Sequence, residues 1–287
     1  MSALGSEGSQ GAPRNNRASQ LDQPAGENFY SPFSEELSVD EGLILSKKEF
    51  KQAIYDFYKG KNLTPLSQLT AMPPFPTPHV LAQFASKAYP DYKTGETDAQ
   101  YETRLALPDG WKLLTTASNC SKTNGYFGAA YWHPEHQQVV IAHRGTDWKN
   151  LGALWTDVVG VIFKYQVPQM SSASTFAHTV FEVLREVNEG NGVSFQLFFT
   201  GHSLGGWLAQ VTTFTTKYLK TEGNYFQRNN NDQNCSHPHT VVFESPGCQD
   251  MLSQMRDTFH VRLDGRSIDL EHLDITSYLS APNRINP

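Results

Sequence analysis

The stretch Ser194–Leu219, SFQLFFTGHSLGGWLAQVTTFTTKYL, constrains what this chain can fold into more than any other. Phe195, Leu197, Phe198 and Phe199 form a short apolar run with the length and content of a buried strand. Gly201-His202-Ser203-Leu204-Gly205 then fits G-x-S-x-G, the sharp turn that exposes a nucleophilic serine between a strand and a helix. Leu204, Trp207, Leu208, Val211 and Tyr218 follow at three- and four-residue steps, as one face of a helix does. The flanking glycines have a steric reason. A serine held in a strained turn leaves no room for side chains where strand and helix backbones meet, and Gly206 adds a third small residue. The competing reading is an ordinary turn whose serine caps the helix. The hydrophobic strand before the turn and the amphipathic pattern after it decide for the nucleophile.

The rest of the chain supplies the frame. Residues 1–28 are Ser-, Gly-, Gln-, Asn- and Pro-rich and read as a disordered tail, because they hold too little apolar surface to offset ordering. Residues 29–76 read as a helical extension and proline linker. There, Ser46-Lys47-Lys48-Glu49 looks like a capping box ahead of Phe50, Ile54, Phe57 and Tyr58. Thr77 as N-cap and Pro78 in the first turn open a helix through Leu81, Phe84 and Ala88, so the main domain is expected over 77–287. Strands are expected at Trp111–Ser118, Tyr126–Trp132 and Gln138–His143, with a turn at His133–His136 joining the last two. Phe176, Val180, Phe181, Leu184 and Val187 mark a helix that stops at Gly190 and Gly192. Past the elbow helix, Gln227–Asn234 reads as a surface insertion, Thr240–Pro246 as a buried strand, Gln249–Phe259 as a helix and Ile275–Ala281 as a final strand. Strands alternating with helices predict an α/β fold: a mainly parallel sheet, helices on both faces, and an antiparallel hairpin ahead of it.

Composition enters by exclusion. A formal charge of −6 without a basic run argues against nucleic-acid binding. Cys120, Cys235 and Cys248, odd in number and irregular in spacing, give neither a disulfide framework nor a metal site. The sequons at Asn62, Asn119 and Asn234 are of the kind that arise by chance. The first residues carry no apolar signal region, and no apolar run approaches bilayer length, so a cytoplasmic protein without a transmembrane segment is the expectation.

An exposed serine needs a base to take its proton and donors aimed at the oxyanion it creates. The Leu204 N–H, directly after Ser203, is one donor. A second comes from a loop after an earlier strand, and Val139–His143 ends in Arg144-Gly145-Thr146. His202 adjoins Ser203, but a neighbour in so tight a turn points away from it, so it is read as a packing or hydrogen-bonding residue.

Arg144-Gly145-Thr146, the Gly201-His-Ser-Leu-Gly-Gly206 elbow and Ser245-Pro246 together resemble the class 3 lipases, the fungal triacylglycerol lipase-like family, over roughly residues 77–287. The resemblance implies an α/β-hydrolase fold and Ser203 as nucleophile. It places the oxyanion site at the Leu204 N–H and at Thr146, through its backbone and its hydroxyl. It implies no metal or organic cofactor, and a lipid ester substrate, acylglycerol or phospholipid, met at a membrane or droplet surface. Trp155–Phe163 falls where that family carries a mobile lid; buried core is the other reading of those residues.

The family's acid should follow the strand at Ile275–Ala281. Asn283 stands there in place of an aspartate, and an asparagine stabilises an imidazolium less. Asp274 precedes that strand, at the wrong end of a parallel sheet. The base should come later still, yet no histidine follows His272. Three explanations stay open: a truncated chain that has lost its catalytic histidine and closing sheet elements, which is the one we favour; a pseudoenzyme; or an arrangement reached by an earlier histidine. The functional expectation is a serine esterase or lipase. The rival is a catalytically inactive lipid-binding or scaffold protein on the same fold, and a thioesterase or peptidase is a third option.

Overall fold

Apolar runs short enough to be strands, and separated by helical segments, pair here in the order in which they occur. The computed structural model describes residues 41–65, 68, 76–89, 98–118, 125–145, 169–218, 238–262, 269–271 and 273–280, all within one unit spanning Leu37–Pro287. Its strands are β1 (Lys112–Ser118), β2 (Phe127–His133), β3 (Gln138–His143), β4 (Gln196–His202), β5 (His239–Phe243) and β6 (Ile275–Tyr278). They form one six-stranded sheet in the order β1-β2-β3-β4-β5-β6. β2 runs antiparallel to both β1 and β3, while β3 to β6 run parallel. The mostly parallel α/β sheet expected from the sequence is therefore present, with its antiparallel hairpin ahead of the parallel strands.

The helices are α1 (Glu41–Tyr58), α2 (Pro78–Lys87), α3 (Asp98–Leu105), α4 (Gln169–Asn191), α5 (Leu204–Tyr218) and α6 (Gln249–Arg262). Strand alternation sorts them onto two faces. Tyr131, Val140, Phe198 and Val241 point to one face and pack with Leu81 and Phe84 of α2, with Ala88 at its C-cap and with Trp111 into a buried cluster. Phe84 stacks on Tyr131 and meets Trp111 edge-on. On that same face the Thr200 hydroxyl lies 3.4 Å from the Leu81 carbonyl. On the other face, Thr213 of α5 meets Thr240 of β5 hydroxyl to hydroxyl, 2.5 Å apart. Helices thus cover both faces.

Thr77 caps α2 as its position predicts, with extended backbone and a side chain that accepts from the Val80 N–H. Gly192, at φ +70°, follows the end of α4, and its N–H bonds the Asn188 carbonyl. Three elements depart from the sequence reading. α1 begins at Glu41, so Ser46–Glu49 lies inside the helix and is not its N-terminal box. α3, a polar segment without apolar periodicity, has no counterpart in that reading. α5 is buried on every side from Leu204 to Thr216 rather than along one stripe. Its threonines tolerate this because their hydroxyls return to the helix: Thr212 to Leu208 or Ala209, and Thr213 to Ala209. Residues 1–28, residues 72–75 of the proline-rich stretch Met72–Pro78, the 227–234 insertion and the 155–163 lid candidate lie outside the described residues.

Candidate active site

The sheet delivers the elbow to its carboxyl edge. β4 ends at His202, Ser203 forms the turn, and α5 starts at Leu204. Ser203 has φ +56°, the left-handed region that costs an L-residue about 1–3 kcal/mol and recurs at functional sites. What holds it there is visible on both sides. The Ser203 N–H donates to the Phe243 carbonyl of β5 at 3.0 Å, and the Ser203 carbonyl accepts from the N–H groups of Gly206 and Trp207. Ser203 as a whole is 7 % exposed. Leu204 begins the helix, so its N–H belongs to the first turn, whose amides have no carbonyl four residues back to bond. It meets no acceptor among the described residues.

The glycines of the motif are places where two backbones meet. A Cβ on Gly205 would stand 2.1 Å from the His143 carbonyl oxygen and 2.7 Å from the Gly145 nitrogen. A Cβ on Gly145 would stand 2.5 Å from the His202 carbonyl oxygen. The Arg144-Gly145 loop is therefore pressed against the first turn of α5. Thr146, the expected second oxyanion residue, is the next residue along but lies outside the described residues, as does Asn283.

A buried chain of polar groups fixes the end of β3 beneath this loop. The Tyr126 hydroxyl lies 2.9 Å from His143 Nδ1, and His143 Nε2 lies 3.1 Å from Thr212 Oγ1. Thr212 gives its own hydrogen to the helix carbonyls, so His143 Nε2–H donates to Thr212 and Nδ1 accepts from Tyr126. That tautomer is neutral, and complete burial pushes the imidazole down to about 3. Between the ordinary value of 6.5 and about 3, the unfolded chain binds a proton that the folded chain refuses. The sign follows: His143 costs nothing above pH 6.5, and stability is lost as pH falls below it. Denaturant midpoints measured across this window should decline on acidification, and those of His143→Gln should decline less steeply.

On the opposite face His202 turns toward the residue just past α2, with Nδ1 2.9 Å from the Tyr89 hydroxyl. Burial lowers its basicity, and the charge of Glu244 partly restores it. This matches the packing role read from the sequence. Ser245 is held from behind by Gln210 of α5, which donates to its hydroxyl at 2.9 Å and to the Pro246 carbonyl at 3.1 Å. The buried Cys248 thiol, pushed up to about 12 by burial, donates in turn to Gln210 Oε1. Gln210, His143 and Tyr89 escape a sequence reading because each acts through a partner distant in the chain.

The base is not in reach among the described residues, where the Ser203 hydroxyl meets no hydrogen-bond partner. His133 and His136 sit in the β2–β3 turn, at the far end of the sheet. His239 pairs with Asp274 at the amino ends of β5 and β6, so this histidine–aspartate pair is as misplaced for Ser203 as the position of Asp274 predicts. His79 opens α2, and His178 faces Glu182 on α4. His237, His272 and the side chain of His260 lie outside the described residues.

Residues 115–256, which hold the elbow and the Arg144-Gly145 loop, match the model of the Mbeg1-like family. No curated protein matches the chain. Among solved structures, lipase II from Rhizopus niveus is similar at 14% identity over 75% of this chain and 72% of its own, with a TM-score of 0.42. The lipase from Rhizopus microsporus var. chinensis is similar at 16% identity over 76% and 67%, with a TM-score of 0.42. Lip2 lipase from Yarrowia lipolytica follows at 14% identity over 70% and 68%, with a TM-score of 0.38. The segment that holds the elbow is thus the part of the chain that is similar to a known family.

Proposed function

We propose that this chain is a serine esterase that hydrolyses carboxylic esters of lipids through an acyl-enzyme on Ser203. The observation that carries the reading is the left-handed φ of Ser203, at a turn between a parallel strand and a helix whose first N–H is open. In this reading Ser203 Oγ attacks the ester carbonyl carbon as its proton passes to an imidazole base. The carbonyl oxygen becomes an oxyanion against the Leu204 N–H and Thr146. The C–O bond to the alcohol then breaks, and the base returns the proton to the departing alkoxide. Water, deprotonated by the same base, releases the acid and restores Ser203.

A lipid substrate is supported by the surface beside the site. Tyr278 and Leu279, at the carboxyl end of β6, are the exposed large hydrophobic residues among those described, at 44% and 51% exposure. Tyr278 stacks on Phe243, whose carbonyl holds the Ser203 amide. No helix of the described residues is long and apolar enough to cross a membrane. We propose that the enzyme works in the cytoplasm and meets lipid from the aqueous side.

A specific observation favours a second reading, a catalytically silent lipid-binding protein: no described histidine stands where it can take the Ser203 proton. Hydrolysis assays on emulsified acylglycerols, phospholipid vesicles, acyl thioesters and peptides separate the two. Turnover of the lipid esters above the others is expected. Binding of vesicles without turnover would establish the silent protein, and a preference for thioesters or peptides would overturn the ester assignment.

A further inference from the structure

Glu244 is the feature of this site that neither the motif nor the resemblance assigns. It follows β5 directly, and β5 is the strand paired with the elbow strand. The carbonyl of the preceding Phe243 accepts the Ser203 N–H, so Glu244 starts one peptide link from the nucleophile's own hydrogen-bond partner. Its backbone has φ +47°. Four non-glycine residues among those described have positive φ, and two of them are Ser203 and Glu244, side by side at the carboxyl edge of the sheet. Glycine, asparagine or aspartate takes that conformation at lower cost than glutamate. A glutamate kept there points to a role for its carboxylate.

The surroundings suit that role. The Glu244 N–H donates to the Tyr278 carbonyl at 2.9 Å, which ties the ends of β5 and β6 together. The Ser280 N–H donates to Oε1 of the carboxylate. Its other oxygen, Oε2, meets no donor among the described residues. One oxygen anchored by a backbone amide and one left open is what a carboxylate needs in order to orient an imidazole through its N–H and stabilise the cation formed on protonation. Its charge already reaches His202, the residue before the nucleophile. One strand further on, where the acid is expected, the sequence offers Asn283.

Resting on the serine-esterase reading above, we propose that Glu244 is the acid of this site, a positioning residue that acts from the strand next to the elbow strand in place of an aspartate after β6. The proton balance is that of the mechanism already given. Ser203 Oγ gives its proton to an imidazole, and the Glu244 carboxylate holds and stabilises the resulting cation without taking the proton.

Two variants isolate the charge. Glu244→Gln keeps the length of the side chain and an oxygen to accept from Ser280, but it is neutral. Glu244→Asp keeps the charge and tolerates the left-handed backbone. The measurements are kcat and KM on an ester and the rate at which a fluorophosphonate labels Ser203, with melting temperature as the check on folding. Glu244→Gln should melt with the parent, keep its KM, and lose about 10⁴-fold in kcat, as amide replacement of a triad carboxylate does. Its labelling should slow in parallel, while Glu244→Asp retains the greater part of both rates. A labelled parent with an equally reactive Gln variant would overturn this inference alone, as would equal losses in both variants. An unlabelled parent would overturn the esterase reading and the inference with it.

Discussion

Ser203→Ala is expected to remove ester hydrolysis, by about 10⁶-fold in kcat where the serine is the nucleophile of a complete catalytic group. The fold should not notice. The Ser203 backbone bonds to Phe243, Gly206 and Trp207 are made by N–H and C=O groups that alanine also has. The hydroxyl has no partner among the described residues, so no buried acceptor or donor is stranded by its loss. Ser203→Gly provides the companion result. It relieves the left-handed strain at φ +56° and should be equally inactive yet more stable by about 1 kcal/mol. Hydrolysis rates and denaturant midpoints of the three proteins check both halves. Residual turnover near the parent level in Ser203→Ala would place the chemistry elsewhere.

Gly205→Ala carries the second large effect, on the fold itself. Its Cβ would stand 2.1 Å from the His143 carbonyl oxygen and 2.8 Å from the Arg144 carbonyl carbon. Both are backbone atoms, so no side chain can rotate away. Relief requires β3 or the first turn of α5 to shift. β3 is buried at every residue and anchored through the Tyr126–His143–Thr212 chain. The expected cost is about 3 kcal/mol, at the upper end for overpacking a tight interior. Any protein that still folds should lose activity, because the shift moves the first turn of α5, which follows Ser203, away from Arg144 and Gly145. Thermal melting and activity of the variant read the two effects. A variant with parental stability would mean that the contact is looser than the backbone positions describe.

What the sequence makes legible here is whatever local pattern determines. The strand–turn–helix elbow is local, and so are the apolar runs that became β2, β3 and β5; β2 and β3 stand within a residue of their expected places, and β5 ends three residues short of its own. Thr77 and Gly192 mark helix ends through chemistry confined to a few residues. The misreadings have equally physical origins. α5 looks amphipathic because its threonines count as polar, yet they are buried with their hydroxyls returned to the helix backbone. α3 is held by its neighbours rather than by an apolar stripe, so periodicity cannot reveal it. Glu244 reads as one polar residue in a strand. Its left-handed backbone and its bond to Ser280 exist only once β5 and β6 lie side by side. The base is the least legible part of the site, since no described histidine stands where it can take the Ser203 proton. Thr146 and Asn283, on which the resemblance places an oxyanion donor and the acid position, lie outside the described residues.

The central claim is that Ser203 is an activated nucleophile, and the most direct measurement is covalent labelling of the purified chain by a fluorophosphonate, read by intact mass and peptide mapping. The account predicts a single adduct on Ser203, absent from Ser203→Ala. A folded chain that takes up no adduct, or takes it up at another residue, would contradict it.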